Sequence, residues 1–484
     1  MNKELRRISI ATLAMFLALF VSTSVIQVFA VDDLRADPRN VRTLYASYSA
    51  ERGPILLNGI PIAESIAVDS PFAFLRGYPE PAVYAPITGY FTLNQGNTGI
   101  EGAYNDFLTG TANEQFLDQL SALVTGQRPR GAAVQLTIDP VVQQAAYDAM
   151  DGLTGAVVAI EPATGRILAM VSTPSFDPNR LASHDTASVL AAYDELIADP
   201  NDPLVNRAIS GDLYFPGSTF KLLVAAAAID SGQFTPDDVF PNLSSLQLPL
   251  STNVVMNSSN GPCGSGETVS IATALRLSCN IPFAELGLAL GEDTLAQYAE
   301  AFGFGAAFEI PMAATPSTFP TGLDDAQLML SSFGQYDVRV TPLQMALISA
   351  AIANGGNLMQ PTLLDRIIAP DLSIVQRSEP TLSGQPITRI TAETMTQLLV
   401  DGVSNGVASN ARIEGVAVAG KTGTAENGGD APYTLWFTGF APADNPQVAV
   451  AVVVEDGGGR GQSGSGNQIA APIAKRVLEA VLSR

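Results

Sequence analysis

The amino-terminal residues constrain this chain most, because they form an uncharged run long enough to cross a membrane. Three basic side chains occur in residues 1–7, and no charged residue then occurs from Ile8 to Val31. At about 1.5 Å per residue, a helix of this length spans a hydrocarbon core of roughly 30 Å. A cleaved signal peptide is the alternative, but its apolar region is only about 7–15 residues long. We therefore expect a retained, single-pass anchor over residues 8–31, with residues 1–7 cytoplasmic and the body extracytoplasmic, because the positive flank stays inside.

The remaining composition is that of a folded protein and excludes some functions. The chain has 484 residues, of which 46% are hydrophobic and 15% are charged, which allows two or three domains. Its net charge is −22, and no run of Lys and Arg occurs, so a nucleic-acid partner is not expected. His184 is the single histidine, which argues against a His base combined with His metal ligands. We expect neither a metal nor a cofactor.

Two regions are predicted after the anchor, over residues 32–130 and 131–484. The first is rich in Gly, Pro, Asn and Tyr, and its Asn58-Gly59 pair favours a type I′ hairpin. It is predicted to be a small mixed or mainly β domain, a pedestal or dimerisation module that ends in the linker Gln127–Gly131.

The second region is predicted to be an α+β domain. Asp139-Pro140 is typical of a helix start, with Asp at the cap and Pro in the first turn. Apolar segments predict strands near both ends: Gly155–Ile160, Arg166–Val171, Trp436–Phe440 and Val448–Val454. Helices are predicted between and after them: Thr219–Ser231, Ser270–Leu277, Thr294–Ala301, Pro342–Asn354, Ala392–Val403 and Ile469–Leu482. One antiparallel sheet, completed by both ends of the domain and covered by helices on both faces, accounts for this order.

Ser218 combines two features of an activated nucleophile. The turn Phe215-Pro216-Gly217 precedes it and the apolar run Leu222–Ile229 follows, so Ser218 is expected at a helix start, where negative charge is favoured. Lys221 lies one turn further on the same face. The chain has only four lysines, which makes a chance pairing less plausible, although a serine cap with a surface lysine has the same pattern.

Two later motifs are weaker by themselves. Ser278-Cys279-Asn280 is a Ser-x-Asn element, which occurs in many loops. The run Gly420–Glu426 contains Lys421-Thr422-Gly423-Thr424 and follows a β-like stretch, Ile413–Val418. Lys421 and Thr422 can bind a carboxylate, and Gly423 lets another backbone approach closely, but a turn with an exposed lysine is the alternative.

The three motifs in this order resemble those of penicillin-binding proteins, in which S-x-x-K, an S-x-N type element and K-T-G form one site. The chain is similar to the monofunctional class B type over essentially its whole length. The resemblance implies a penicillin-binding, serine transpeptidase-like fold. It also implies that the chain is a D-Ala-D-Ala transpeptidase, which cross-links peptidoglycan stem peptides through an acyl-enzyme and is inhibited by β-lactams.

Roles for individual residues follow from the same resemblance. Ser218 would be acylated, Lys221 would deprotonate it, and Ser278 would pass a proton to the leaving group. Asn280 would hold Lys221 or the substrate amide, and Lys421 would set the electrostatics.

The strand residues have implied roles as well. Thr422 and Thr424 would bind the substrate carboxylate, with Gly423 between them. The backbone N–H groups of Ser218 and Thr424 would form the oxyanion hole.

The two cysteines, Cys263 and Cys279, lie close together in the sequence. If the body is extracytoplasmic, they are in an oxidising compartment, and we expect a disulfide between them. Two buried free thiols are the alternative.

Other functions of the same motifs stay open to different degrees. A class A β-lactamase needs a carboxylate that activates water, and no Glu-x-x-x-Asn loop is evident. A D,D-carboxypeptidase uses the same residues, and a non-catalytic β-lactam sensor or scaffold is a further alternative. Expected partners are the stem peptide or its lipid-linked precursor, β-lactams, a membrane glycan polymerase, and proteins of division or elongation.

Overall fold

The computed structural model describes residues 2–30, 51–70, 72–92, 95–115 and 130–484. Helix α1 covers Asn2–Ser24, and a π-helical turn continues it over Val25–Phe29. In the described part of the chain, one helix, Lys3–Gln27, is long and apolar enough to cross a membrane by length and composition. Its mean hydropathy is 2.1, and none of its apolar window is buried. The predicted end of the anchor at Val31 and most of the predicted linker Gln127–Gly131 lie outside the described residues.

Short strands and helices make up the N-terminal part of the body. They are β1 (Ile55–Leu57), β2 (Ile60–Ala67), β3 (Phe74–Gly77), α2 (Pro81–Thr88), α3 (Gly99–Ala103) and α4 (Asn105–Thr109). Asn58 and Gly59 connect β1 to β2 with φ angles of 48° and 82°. Positive φ at both positions confirms the predicted type I′ hairpin.

The rest of the body alternates strands and longer helices. Up to residue 301 these are β4 (Ala133–Leu136), α5 (Pro140–Ala149), β5 (Gly155–Ile160), β6 (Ile167–Thr173), α6 (Asn179–Ala182), α7 (Thr186–Ala198), α8 (Lys221–Asp230), β7 (Val239–Pro241), β8 (Ser245–Gln247), β9 (Val254–Met256), β10 (Thr268–Ser270), α9 (Ile271–Leu277), α10 (Ile281–Leu290) and α11 (Glu292–Ala301). After it come α12 (Asp325–Ser331), α13 (Pro342–Ala353), β11 (Leu358–Met359), β12 (Leu364–Ile368), β13 (Ile374–Arg377), β14 (Leu382–Gly384), α14 (Arg389–Ser404), β15 (Ala419–Ala425), β16 (Thr434–Ala441), β17 (Val448–Val454) and α15 (Ala470–Leu482).

A five-stranded antiparallel sheet forms the centre of the second region, in the order β15-β16-β17-β5-β6. Its strands come from both ends of the region, as predicted. Every residue of β5 is buried, and alternate side chains enter two different cores because successive side chains of a strand point to opposite faces. Helix α13 packs on one face and helices α5 and α15 on the other. The predicted α+β architecture with helices on both faces is confirmed.

A second sheet connects the N-terminal strands to the rest of the body. Its order is β13-β12-β4-β1-β2-β3, with β1 parallel to β4 and the other neighbours antiparallel. Ile55 of β1 lies opposite Val134 of β4. The sheet therefore crosses the predicted boundary between residues 130 and 131, which remains a prediction.

One strand is placed differently from the prediction. The β-like stretch Ile413–Val418 contains only a bridge between Ile413 and Val416, and the strand is Ala419–Ala425 instead. The segment Ala419–Ala425 consists of small and polar residues, a composition that is typical of a turn. It is nevertheless a strand because each of its residues pairs with β16. The motif containing Lys421 is thus part of the sheet.

Candidate active site

Ser218 lies in a tight turn that leads directly into helix α8. Residues Gly217–Phe220 form a 3₁₀ turn, so Ser218 is at a helix start as the sequence predicted. Gly217 has φ 52° and its N–H donates to the carbonyl oxygen of Gly334 at 2.9 Å. A Cβ atom at Gly334 would lie 2.1 Å from the carbonyl oxygen of Gly217. Close backbone contact at these two glycines therefore holds the turn.

Lys221 is fully buried beside this serine. Its Nζ lies 3.0 Å from Ser218 Oγ, 2.9 Å from the carbonyl oxygen of Ser278 and 2.8 Å from Asn280 Oδ1. Burial, and then the positive charge of Lys421, hold the pKa of Lys221 well below its ordinary value. The structure thus favours the neutral amine that a general base requires.

The neighbours of Lys221 also determine where its lone pair points. A neutral amine has two N–H groups and one lone pair. The carbonyl of Ser278 and Asn280 Oδ1 can only accept hydrogen bonds, so they occupy both N–H groups. The lone pair then faces the hydroxyl group of Ser218, which can donate its proton to it.

Lys421 approaches the same centre from strand β15. Its buried Nζ donates to Ser278 Oγ at 2.7 Å and to the carbonyl oxygen of Thr422 at 2.8 Å. Burial lowers the pKa of Lys421 to about 7. Ser278, which adopts φ 61° at the end of helix α9, thus contacts Lys221 through its carbonyl and Lys421 through its hydroxyl. No carboxylate is among the groups that shift the pKa of either lysine.

The following residues of β15 border the serine turn. Gly423 lies so close to it that a Cβ would stand 3.0 Å from the carbonyl oxygen of Pro216. The N–H of Gly466 donates to Thr424 Oγ1 at 3.3 Å, which leaves the hydroxyl proton of Thr424 available for another acceptor. Thr422 Oγ1 lies 3.5 Å from the carbonyl oxygen of Val407, at the limit of a hydrogen bond.

A partly buried ionic cluster behind the site was not predicted. Glu455 accepts from Arg207 Nε at 3.0 Å and from the Tyr214 hydroxyl at 2.6 Å. The Tyr214 ring packs edge-on against Trp436, whose indole N–H donates to the carbonyl oxygen of Phe215 at 2.9 Å. The cluster thereby ties the serine turn to the central sheet. An acidic residue directly after the wholly apolar strand β17 was the signal in the sequence.

The two cysteines are bonded to each other, as expected. Cys279 lies between Ser278 and Asn280, so the disulfide connects the Ser-x-Asn element to the loop at Cys263. In the described residues no cluster of His, Cys, Asp or Glu side chains is suited to hold a metal ion.

The sheet and these three motifs define a serine acyltransferase site, and comparison with known families agrees. The family model for the penicillin binding protein transpeptidase domain matches residues 155–479, and that for the penicillin binding protein A dimerisation domain matches residues 52–134. The chain therefore belongs to the penicillin-binding protein transpeptidase family.

Individual relatives narrow the similarity within that family. Peptidoglycan D,D-transpeptidase PbpA of Mycolicibacterium smegmatis is 44% identical, over 100% of this chain and 99% of the relative. PbpA of Mycobacterium tuberculosis is 43% identical, with the same shares covered. The ceftriaxone acyl-enzyme complex of penicillin-binding protein A from M. tuberculosis has a TM-score of 0.87 and 41% identity, covering 90% of this chain and 100% of that one.

Proposed function

We propose that this chain is a peptidoglycan D,D-transpeptidase that cross-links stem peptides through an acyl-enzyme on Ser218 and is inhibited by β-lactams. The observation that carries the proposal is the hydrogen-bonded series of polar groups that runs from Ser218 through Lys221 and Ser278 to Lys421. The names of the PbpA relatives and the acyl-enzyme complexes of the similar structures support the same activity.

Acylation uses these groups in sequence. Ser218 Oγ attacks the carbonyl carbon of the penultimate D-Ala while Lys221 Nζ accepts the hydroxyl proton, and the carbonyl electron pair moves onto oxygen. The tetrahedral intermediate then collapses and the C–N bond to the terminal D-Ala breaks. The leaving nitrogen takes a proton from Ser278, which recovers one from Lys421 over 2.7 Å. A pKa of about 7 suits Lys421 to this donation.

Strand β15 is the surface on which the substrate backbone docks. It is the terminal strand of the five-stranded sheet in the described part of the chain, so its outer N–H and C=O groups can pair with an extended peptide. The terminal carboxylate of that peptide accepts hydrogen bonds from Thr424 and Thr422. The backbone N–H groups of Ser218 and Thr424 stabilise the oxyanion, a contribution of about 10²-fold or more per donor.

Transfer to the second stem peptide reverses these proton movements. The acceptor amine attacks the ester carbonyl and gives its proton to Ser278, whose own hydroxyl proton passes back to Lys421 over 2.7 Å. The proton held on Lys221 returns to Ser218 as the ester bond breaks. The product is a new amide bond and free enzyme, with every proton restored.

Intact mass spectrometry after incubation with penicillin G tests the nucleophile. We expect one penicilloyl adduct on the native chain and none on Ser218→Ala. Labelling that persists in Ser218→Ala assigns the acylated group elsewhere and refutes the site.

Product analysis distinguishes the transpeptidase from a D,D-carboxypeptidase that uses the same residues. With a pentapeptide donor and an amine acceptor, we expect the cross-linked product and released D-Ala. Release of D-Ala with tetrapeptide as the sole product would establish a carboxypeptidase. Penicilloylation without turnover of either kind would establish a sensor.

The membrane arrangement is a further part of the proposal. Helix α1 anchors the chain, residues 1–7 stay in the cytoplasm and the body lies outside, because the three basic residues precede the apolar run. Residues 32–130 serve as a pedestal or dimerisation module, and the family model matched to residues 52–134 supports this. A membrane glycan polymerase of the elongation or division machinery is the proposed partner, tested by cross-linking in intact cells.

A further inference from the structure

Asn257 is a buried asparagine that lies outside the three motifs and braces one of them. It follows strand β9 and is 2% exposed. Its Oδ1 accepts the backbone N–H groups of Asn280 and Ile281, each at 3.0 Å. Its Nδ2 donates to the carbonyl oxygens of Leu243 at 3.1 Å and Gly261 at 2.9 Å. Both ends of this amide are therefore committed to backbone groups.

The residue before it completes the support of Asn280. The carbonyl oxygen of Met256 accepts Asn280 Nδ2 at 2.9 Å, so the side-chain amide is oriented with Oδ1 toward Lys221. Asn280 is thus held at its backbone by Asn257 and at its side chain by Met256. It contributes one of the two acceptors that occupy the N–H groups of Lys221.

The orientation matters because the opposite one would disturb the base. If the amide of Asn280 were rotated by half a turn, its NH₂ group would face Lys221 Nζ. An N–H group of the neutral amine would lose its acceptor, and the lone pair would no longer be reserved for the hydroxyl of Ser218. Misplacement of a catalytic group by about 1 Å can cost on the order of 10²-fold in rate.

We propose that Asn257 is a positioning residue for acylation, acting through Asn280 to orient the amine of Lys221 toward Ser218. The proposal rests on the proposed function, because it needs Lys221 to be the base. Asn257 differs from a purely structural brace because of the two backbone N–H groups that it binds. They belong to the Ser-x-Asn element and to the first residue of helix α10.

Asn179 provides a matched control away from the Ser-x-Asn element. Its Oδ1 accepts the N–H of Tyr78 at 2.9 Å and its Nδ2 donates to the carbonyl oxygen of Tyr78 at 3.0 Å. It is therefore another asparagine that braces backbone groups with both ends of its amide, but its hydrogen bonds do not involve the Ser-x-Asn element. Asn179→Ala should lower thermal stability and leave acylation within about 3-fold of the native rate, since the surroundings of the lysine are retained.

The experiment measures the second-order rate of acylation by a fluorescent penicillin for Asn257→Ala, Asn280→Ala and the double variant in the full chain, together with thermal unfolding. We expect Asn257→Ala to slow acylation by about 10-fold or more. In the Asn280→Ala background the same substitution should cost less than about 3-fold, because the group it positions is absent. Asn257→Ser keeps a group that both accepts and donates hydrogen bonds, so it should acylate faster than Asn257→Ala. It also serves as the test variant if the alanine variant does not fold.

Two results would overturn the proposal. One is an Asn257→Ala chain that acylates at the native rate. The other is an equal cost of Asn257→Ala with and without Asn280, which would mean that Asn257 acts on the fold generally. Failure of the native chain to acylate refutes the proposed function instead, so the two failures are distinguishable.

Discussion

At the scale of single residues, the site depends on two lysines with different surroundings. Lys221 Nζ contacts the nucleophile and two acceptor oxygens, whereas Lys421 Nζ contacts the hydroxyl of Ser278 and a strand carbonyl. Both are buried without a carboxylate among the causes of their pKa shifts. Burial lowers both pKa values, and the positive charge of Lys421 lowers that of Lys221 further. Two lysines buried in one site without a carboxylate favour one neutral amine and one charged amine.

The assignment of base and charge predicts opposite results for two conservative substitutions. Lys221→Arg should slow acylation by about 10²–10⁴-fold, because a guanidinium cannot accept the proton of Ser218. Lys421→Arg keeps the charge but cannot return a proton to Ser278, so acylation should be reduced yet measurable, at a smaller cost than that of Lys221→Arg. Acylation rates with a fluorescent penicillin measure both. If Lys221→Arg acylated at a near-native rate while Lys421→Arg did not acylate, the two roles would be reversed.

The pH dependence of acylation should show both lysines. The rate should fall at low pH as Lys221 takes up a proton, and fall again above about 7 as Lys421 loses its proton. The two apparent pKa values of this profile describe the pair of interacting lysines rather than either lysine alone. Since arginine keeps its charge, the decline at high pH should disappear in Lys421→Arg. If Lys421→Arg showed the same decline at high pH, the decline would be due to a group other than Lys421.

At the scale of elements, the site is assembled where three segments meet. The 3₁₀ turn before α8 supplies the nucleophile, the junction of α9 and α10 supplies Ser278 and Asn280, and the end strand β15 supplies Lys421. Glycines at the contacts allow backbones to touch, and the disulfide holds the junction to the loop at Cys263. Small shifts of these elements should therefore affect catalysis before they affect folding.

Gly334→Ala should test the contact behind the nucleophile. Its Cβ would lie 2.1 Å from the carbonyl oxygen of Gly217, and φ is 81°. We expect acylation to fall by about 10-fold or more as the serine turn shifts. Gly305→Ala is the control. Gly305 has φ 80°, and no atom lies within 4 Å of the position that a Cβ would take. This variant therefore has the backbone strain of about 1–2 kcal/mol but no steric clash. Equal acylation by both variants would contradict the positioning role of Gly334.

The disulfide predicts a stability effect. Cys263→Ala removes a short covalent loop and should lower the free energy of unfolding by about 3 kcal/mol. Urea unfolding of the native chain with and without a reducing agent should reproduce this difference, and the variant should not respond to the agent. If the oxidised and reduced native chains had the same free energy of unfolding, the disulfide would not stabilise the fold.

At the scale of the whole molecule, the anchor and the catalytic body are separable. Among the described residues, the window of α1 that is suited to a membrane is not buried against the body. The two sheets, by contrast, connect residues far apart in the sequence, such as Ile55 with Val134 and Gly155 with Val454. Activity should therefore depend on the body, and localisation on the first helix.

A variant that lacks residues 1–30 tests this separation. It should acylate at the native rate within about 2-fold, because no catalytic contact described above involves α1. It should no longer sediment with membranes, whereas the full chain purified from membranes should begin at or near Met1. A native N-terminus near Asp32 would mean that the apolar run is a cleaved signal.

The sequence by itself determined the features that depend on neighbouring residues. Asn58-Gly59 requires positive φ angles, Asp139-Pro140 begins a helix, and Ser218 with Lys221 shares one helix face. The apolar strands at both ends of the second region were sufficient to predict the antiparallel sheet. These are local signals, because their physical causes act within one turn, one hairpin or one buried strand.

Only the tertiary structure decided which distant groups meet. The predicted β-like stretch Ile413–Val418 contains only a bridge, and the strand is Ala419–Ala425. Its small and polar residues form a strand because they pair with β16. Asn257 and Glu455 acquire their partners from segments remote in the chain, Asn280 and Arg207. A polar group that folding buries, wholly as for Asn257 or partly as for Glu455, needs hydrogen-bond partners. Any of several backbone or side-chain groups could serve, and the packed fold selects among them.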